Sequence, residues 1–376
     1  MVRLPDYSTK YIKEYCKDIG DTVYNKSRGN LNFWKVFFPQ SISTTGLSKQ
    51  FFLDILSLTI SESCDKYDSV KCYYEFAFFV SINIKKIHDG ERSQKQRILN
   101  RKNCIDKYVR SNIHANRILN KFLLKKDPER SDDNFEELQR YMERFLDRIN
   151  RSIRKSINYG TEIKRKHRVE ILDDLNIKVC PYCNRQFIVK LDIDIGRPIG
   201  DIDHFYSQNY FALFGLSLYN FVPSCKICNS LFKSDINADI QYPYRMVDDC
   251  NVTFEICDSS GGLAPGNLYG WNDDFSIKVV SDSRKLYDTK MAEREISFFE
   301  LEAQYKIHKE YVRDFLYKKN MVNGAVISQI QSYFAKQGNV LSEKEIKEII
   351  YGFDVDNIEL LEKPLAKLTK DLYEKY

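Results

Sequence analysis

The 376-residue chain contains no apolar run close to the roughly 20 residues that a membrane-spanning helix needs. Its first stretch, MVRLPDYSTKYIKEY, lacks the apolar centre of a secretion signal. No phosphate-binding loop or other ATP-binding motif is present, and internal repeats and low-complexity segments are absent. We therefore expect a cytoplasmic protein without membrane contacts, in which any nucleotide control has to come from a partner.

Histidine is scarce, with five in the whole chain. His88 and His114 lie among lysines and arginines, where a lone histidine is typical of the surface, so no role is assigned to them. Hydrophobic residues make up 43% of the chain and charged residues 30%, which is enough apolar material for packed cores. The length predicts two or three compact units.

Ten cysteines are present, and four of them form two Cys-x-x-Cys pairs. Each tight turn directs two sulfurs at one centre, and four thiolates are a recurring ligand set for tetrahedral zinc. Because four sulfurs leave no open position, Cys180, Cys183, Cys225 and Cys228 predict a structural Zn²⁺ site. The other cysteines are expected to be free thiols in a reducing cytosol: Cys16, Cys64, Cys72, Cys104, Cys250 and Cys257.

The long interval between the two pairs holds further candidate functional groups. Asp203 and His204 lie in its middle, and Asn220 follows. A hard oxygen ligand such as Asp203 can hold a divalent cation near a phosphate, and a neutral imidazole can take a proton from an attacking water. The amide oxygen of Asn229, directly after the last cysteine, can complete the ligands of that cation. These residue types indicate a site that cuts phosphodiesters.

This stretch resembles the HNH endonuclease family, whose core is a ββα-metal fold. The family pattern is a cysteine pair, Asp-His, Asn, and a second cysteine pair followed by Asn and Lys. The matching positions are Cys180-x-x-Cys183, Asp201-x-Asp203-His204, Asn220, Cys225-x-x-Cys228-Asn229 and Lys233-Ser234-Asp235. The likeness covers roughly 60 residues. One departure is Ser207, which stands where many relatives have a proline, a difference that concerns loop stiffness.

The resemblance implies a role for each matched position. His204 would be the general base. Asp203 and Asn229 would bind a catalytic Mg²⁺ or Mn²⁺. Asn220 would belong to the catalytic motif by bracing the loop that carries the histidine.

Lys233 and Arg185 are the predicted substrate-binding residues, with Lys233 near the phosphate backbone. We therefore predict a metal-dependent HNH endonuclease that hydrolyses phosphodiester bonds in DNA. The choice of DNA over RNA as the substrate rests on the family resemblance. The alternative is a catalytically inert zinc-knuckle protein that binds nucleic acid or serves as a scaffold. The long flanks look like those of HNH effectors in bacterial antiphage systems of the Septu and retron-associated types, in which a separate ATPase is the partner.

The predicted fold class is α+β, with a small ββα-metal (HNH) nuclease core and its structural zinc between mainly helical regions. Residues 1–165 form the helical N-terminal region, 166–240 the core, and 241–376 a β-hairpin followed by a helical C-terminal region. In the core, strands over 200–206 and 218–223 and a helix over 228–235 carry the matched residues. Because side chains alternate along a strand, we expect a local twist or bulge to bring Asp203 and His204 together.

Two more predictions concern the C-terminal region. Alternating apolar residues predict strands over 252–256 and 275–280, separated by a Gly- and Asn-rich stretch. Ser342 with Glu345 predicts a capping box that begins a helix.

Basic residues are concentrated before the first cysteine pair. Residues 85–130 carry 14 Lys or Arg against 5 Asp or Glu, and residues 140–168 carry 10 against 3. Residues 133–158 predict the clearest helix, whose apolar stripe should pack on the core. Its second stripe should face outward: Arg140, Arg144, Arg148, Arg151 and Lys155. That stripe would follow a phosphate backbone if it borders the site and would be merely solvated otherwise, and the sequence does not orient it.

Overall fold

The computed structural model describes residues 1–83, 132–188, 200–246, 250–258, 262–281 and 286–376. Within these ranges, only the backbone is described for residues 132–141, 165 and 286–288. The first basic block, residues 85–130 with His88, Cys104 and His114, therefore lies outside the described residues.

The described residues form an α+β fold in which helices precede and follow small antiparallel strand pairs. The helices are α1 (Thr9–Arg28), α2 (Leu31–Phe37), α3 (Lys49–Ser57), α4 (Ile60–Lys66), α5 (Asp68–Phe78), α6 (Asp132–Ile153), α7 (Tyr159–Glu162), α8 (Arg165–Leu175), α9 (Pro265–Leu268), α10 (Leu286–Phe298), α11 (Leu301–Tyr305), α12 (Lys309–Met321), α13 (Gly324–Lys336), α14 (Glu343–Tyr351) and α15 (Ala366–Lys375). The strands are β1 (Ile42–Ser43), β2 (Gly46–Leu47), β3 (Asp201–His204), β4 (Phe221–Ser224), β5 (Val252–Cys257) and β6 (Ser276–Ser281). Across the ranges described, none of these helices combines the length and the apolarity needed to cross a membrane.

The N-terminal helices pack around aromatic side chains. Helix α1 begins at Ser8, whose hydroxyl accepts a hydrogen bond from the backbone N–H of Tyr11. Trp34, Phe51 and Phe52 are fully buried between the helices, and the Trp34 and Phe52 rings meet edge to face at 4.9 Å. This layer supports the loop that follows β3, because the Tyr15 hydroxyl of α1 donates to the Leu216 carbonyl at 2.8 Å.

Helix α6 has the two faces that the sequence predicts, as far as its side chains are described. Its apolar face is buried through Met142, Phe145, Ile149 and Ile153. Its basic face is exposed at Arg144, Arg148, Arg151 and Lys155, the last of which lies just beyond the helix. The helix itself ends earlier than predicted, at Ile153.

Strand β3 pairs with β4 in unbroken antiparallel register, with Asp203 opposite Val222 and His204 opposite Phe221. The expected bulge between Asp203 and His204 is therefore wrong for this strand pair. The ribbon is only four residues long, so one cavity at its end borders both residues although they point to opposite faces. A π-helix, Ile227–Lys233, follows β4 where the sequence predicts a helix.

The C-terminal region confirms two predictions. Strands β5 and β6 form the expected antiparallel hairpin, with Val252 opposite Ser281 and Cys257 opposite Ser276. Helix α14 begins with the predicted capping box of Ser342 and Glu345.

Asn184, which directly follows the first cysteine pair, connects the core to the C-terminal region. It is buried in a left-handed conformation with φ 51°. Its side-chain oxygen accepts from the Lys367 N–H at 2.9 Å, and its side-chain nitrogen donates to the Leu360 carbonyl at 2.5 Å. Its own carbonyl accepts from the Leu365 N–H at 2.7 Å.

A single hydrophobic cluster includes residues of all three predicted regions, among them Trp34, Leu213 and Leu368. The regions therefore share one apolar core. The boundaries at residues 165 and 240 stay a prediction.

Replacing Asn184 should lower the free energy of unfolding in two separable steps. Asn184→Gly keeps the left-handed backbone but leaves two buried backbone groups without their hydrogen bonds, which costs about 1–3 kcal/mol. Asn184→Ala should cost about 1 kcal/mol more than Asn184→Gly, because alanine keeps a Cβ at positive φ without the amide that lets asparagine tolerate this conformation. Urea unfolding of the purified variants measures both steps.

Asn176 offers a matched control, because it ends α8 in the same left-handed conformation, at φ 48°, with an exposed side chain. Asn176→Gly should be neutral within about 0.5 kcal/mol, and Asn176→Ala should show only the cost of alanine in place of asparagine at positive φ. An Asn184→Gly protein as stable as the wild type would contradict the role given to these hydrogen bonds.

Candidate functional site

The four paired cysteines come together as the sequence predicts. Their sulfur atoms all lie within 4.8 Å of one another, and all four residues are buried. The sulfurs of Cys183 and Cys225 are 3.9 Å apart. In a tetrahedral site with Zn–S bonds of about 2.3 Å, the sulfurs lie about 3.8 Å from one another. The cluster can therefore hold a zinc ion.

The electrostatics of the cluster favour a bound cation. Burial raises the pKa of the Cys180 thiol well above its ordinary value. Hydrogen bonds from the neighbouring thiols lower the pKa of Cys225, whose sulfur also accepts from the backbone N–H of Cys228 at 3.4 Å. Four buried thiolates repel one another, so the fully ionised cluster needs a positive ion between them.

Arg185, a predicted substrate-binding residue, lies away from the cavity at the end of β3. Its guanidinium donates to Gln304 at 2.5 Å and to His308 at 3.1 Å, and it lies 5.8 Å from the centre of the Tyr305 ring. The Tyr305 hydroxyl in turn donates to the Cys183 carbonyl at 2.8 Å. Arg185 therefore joins the cysteine pair to the C-terminal helices, and it does not border the cavity with Asp203, His204 and Asn229.

A cavity of about 310 Å³ opens at the end of β3. Asp203, His204 and Asn229 all border it, so the structure brings these three predicted residues together. Other polar residues complete its lining, including Gln208 and Asp235.

His204 is held in one tautomer. Its Nε2 lies 3.0 Å from the Gly215 carbonyl, which can only accept, so Nε2 carries the proton. Burial lowers the pKa of His204 to about 4, although the hydrogen bond to Gly215 and the charge of Asp203 act to raise it. The nearby Lys233 and Arg168 lower it further. The ring is therefore neutral near pH 7, and Nδ1 keeps a lone pair that can accept a proton.

Asp203 is buried and already balanced by a cation. The Lys233 ammonium lies 3.1 Å from Oδ1 and 3.0 Å from Oδ2, and the Tyr182 hydroxyl donates to Oδ2 at 2.6 Å. The same ammonium donates to the His204 carbonyl at 2.6 Å. Lys233 is therefore buried beneath the site, and the predicted contact with a phosphate backbone is not open to it in this arrangement.

Asn229 lies on the π-helix, facing the cavity. Its side-chain nitrogen is 3.3 Å from an Asp201 carboxylate oxygen, which leaves the amide oxygen for another partner. The π-helix closes through the Ser234 N–H, which donates to the Asn229 carbonyl at 2.6 Å, and Ser234 has a positive φ of 44°. π-helical turns and positive φ at non-glycine residues are both frequent at functional sites.

Asn220 is fully buried and braces the loop after β3, as the resemblance implies. Its side-chain oxygen accepts from the Tyr206 N–H at 2.8 Å. Its side-chain nitrogen donates to the Tyr206 carbonyl at 3.1 Å and to the Phe214 carbonyl at 3.0 Å. Asn220 does not border the cavity among the residues described, so its role is to hold the loop in place.

Sequence reasoning missed Tyr159 and Arg168. The Tyr159 ring borders the cavity and meets the His204 ring edge to face at 4.6 Å, while the Arg168 guanidinium lies 5.6 Å from the Tyr159 ring centre. Both residues come from short helices before the first cysteine pair, and no motif marks them. The position of Tyr182 could have been predicted, because Tyr182 lies between the two cysteines of the first pair. A residue there has to lie close to the structure that the zinc site holds together.

Comparison of the chain with protein-family models, with curated proteins and with solved structures finds no match. The functional conclusion therefore depends on the geometry of the site and on the motif.

The purified protein should contain one zinc per chain, and Cys228→Ser should lose it. Loss of the ion should lower the melting temperature by several degrees at least, because structural zinc sites contribute directly to folding. Elemental analysis and thermal unfolding measure the two effects.

Cys257→Ser is the control, because Cys257 ends β5 outside the cluster and should leave both zinc content and melting temperature unchanged. Full zinc content in Cys228→Ser would show that the four sulfurs do not form the metal site.

Proposed function

We propose that the chain is a metal-dependent HNH-type endonuclease that hydrolyses phosphodiester bonds in DNA. The observation that carries the proposal is that His204, Asp203 and Asn229 border one cavity. Asp203 and His204 lie on the first strand of an antiparallel pair, and Asn229 lies on the helix that follows the second strand, which is the order of a ββα-metal core. The two cysteine pairs flank the strand pair. The choice of DNA over RNA rests on the family resemblance alone.

His204 is the proposed general base. Its Nδ1 accepts a proton from the attacking water, whose oxygen forms a bond to phosphorus while the bond to the leaving oxygen breaks. The hydrogen bond from Nε2 to the Gly215 carbonyl supports this role, because it fixes the tautomer and stabilises the imidazolium that forms. The Tyr159 ring packs against His204 and limits its rotation.

The oxygen donors of Asp203 and Asn229 fit a Mg²⁺ or Mn²⁺ ion. Asp203 Oδ1 accepts one hydrogen bond and keeps a free lone pair, and Asn229 keeps its amide oxygen. When bound there, the cation would stabilise negative charge on the phosphate and the leaving oxygen. Because Lys233 already neutralises Asp203, we expect the phosphate oxygens of the substrate to supply much of the charge that holds the cation.

One observation favours the alternative, a catalytically inert zinc-knuckle protein that binds nucleic acid or serves as a scaffold. The Lys233–Asp203 ion pair is buried and complete without any further cation. An inert protein would not explain why a neutral histidine borders the same cavity as Asp203 and Asn229, with no described hydrogen bond to its Nδ1. The nuclease is therefore the better supported function.

We also propose a cytoplasmic role as an antiphage effector that works with a separate ATPase. This rests on the family resemblance, on the long helical flanks and on the lack of an ATP-binding motif in the sequence. Co-purification with an ATPase encoded beside it would support the role. Strong unregulated cleavage by the isolated protein would count against it.

Plasmid nicking in the presence of Mn²⁺ tests the nuclease. The wild type should nick, and His204→Ala should lose at least about 100-fold in rate, the usual effect of removing a general base. His308→Gln is the control, because His308 lies beside Arg185 and away from the cavity, and it should keep its activity.

Equal zinc content in all three proteins would show that the fold is intact. If the wild type and His204→Ala both bind DNA but neither nicks it, the nuclease proposal is wrong. The inert zinc-knuckle protein is then the better supported function.

A further inference from the structure

The outward face of α6 carries more cations than anions, since the exposed acids among its described side chains are Glu143 and Asp147. Arg144, Arg148 and Lys155 are exposed, and no described carboxylate lies within ion-pair distance of them. Arg151 is also exposed and pairs with Asp147. The charge of this face therefore remains largely uncompensated by the described part of the protein.

The flank of this face is bonded to the loop that borders the cavity. The Asn150 side chain is fully buried and donates to the carbonyls of Asn209 and Tyr210, both at 2.9 Å. The Arg154 guanidinium donates to the Gln208 carbonyl at 2.8 Å and to the Asn209 carbonyl at 3.1 Å. Since Gln208 borders the cavity, one short loop connects α6 to the site.

Helical geometry places the basic face next to this loop. Successive residues of a helix turn by about 100°, so Arg151 lies about 100° around the helix from Asn150. The Arg154 N–H donates to the Asn150 carbonyl at 2.9 Å, which continues the last turn and places Arg154 about 40° from Asn150. The cations therefore begin at the edge of the helix that contacts the loop and continue around its outer side. The structure thus orients the stripe that the sequence leaves undetermined.

The composition of the face indicates the kind of partner. Protein interfaces have an apolar centre, usually with aromatic residues. No large hydrophobic side chain with a described environment between residues 142 and 158 is exposed. Repeated cations with no apolar anchor instead suit evenly spaced phosphates, which bind through charge and counterion release.

We propose that the sugar–phosphate backbone of a nucleic acid runs along the outward face of α6 and reaches the cavity over Gln208. The identity of that nucleic acid as the substrate rests on the proposed nuclease function, whereas its binding to this face does not. Within the helix, the backbone rises about 10 Å from Arg144 to Arg151 at about 1.5 Å per residue, which matches about three base pairs of duplex, and Lys155 extends the row beyond the helix end. Arg154 has a different role, because its hydrogen bonds position the loop.

Charge reversal tests the proposal in the His204→Ala background, where cleavage is not expected. The triple variant Arg144→Glu, Arg148→Glu and Lys155→Glu is compared by fluorescence anisotropy with the same protein without these changes, on a labelled DNA duplex across a salt series. The affinity at low salt should fall about tenfold or more. The slope of log K against log salt should decrease by about 2–3, since each lost phosphate contact removes close to one.

A matched control reverses three exposed lysines of the C-terminal helical region, Lys306, Lys318 and Lys336. This variant has the same change in net charge, and its salt slope should change by less than about 1. Equal zinc content and melting temperature for all proteins would exclude misfolding as the cause.

The outcomes separate this inference from the proposed function. The inference is overturned if the α6 triple variant binds DNA with unchanged affinity and salt slope, or if both triple variants lose the same amount of affinity. In either case the nuclease proposal still stands if the wild type nicks plasmid DNA. If the wild type binds DNA through this face but never nicks, the nuclease is overturned and the surface stands. If no DNA binding is measurable even at low salt, the surface is overturned.

Discussion

The rest of the site depends on four sulfurs that lie within 4.8 Å of one another. They bring together two short turns, and the strand pair β3–β4 with its connecting loop lies between these turns in the sequence. Because the second turn leads directly into the π-helix, the cluster fixes the position of Asn229 relative to β3. The first turn places Tyr182 against Asp203 and Asn184 against the C-terminal region. A single ion at this point would therefore stabilise the site and its support together.

Charge compensation is the second constraint. Asp203 is buried, and a buried carboxylate is stable only with partners, which here are Lys233 and Tyr182. His204 is buried as well, and it avoids the same problem by remaining neutral. Site and scaffold thus use the same side chains: the ammonium that stabilises the fold also determines how much charge Asp203 can offer to a cation.

Much of this site could be predicted from the sequence, because its residues form a local motif. The cysteine pairs, the Asp203-His204 step and Asn229 have fixed spacings, and short turns and strands allow few arrangements of them. The directions of long side chains could not be predicted in the same way. Lys233 is one turn beyond Asn229, but its ammonium turns inward because a buried carboxylate lies there.

Contacts between distant segments account for the other differences. Arg185 binds Gln304 and His308, whose proximity only the tertiary fold creates. Tyr159 reaches His204 for the same reason. The bulge predicted in β3 is wrong for a simpler reason. Alternation along a strand predicts which face a side chain lies on, but it does not predict that a cavity at the end of a short strand pair borders both faces.

Anomalous diffraction tests most directly whether the sulfur cluster organises a cation site at Asp203 and Asn229. Crystals of His204→Ala protein with a DNA duplex and Mn²⁺ would be measured at the zinc and manganese absorption edges. The account predicts a zinc peak among the four sulfurs and a manganese peak within about 2.6 Å of oxygens of both Asp203 and Asn229. A zinc peak in place with DNA bound but no manganese in the cavity would contradict it.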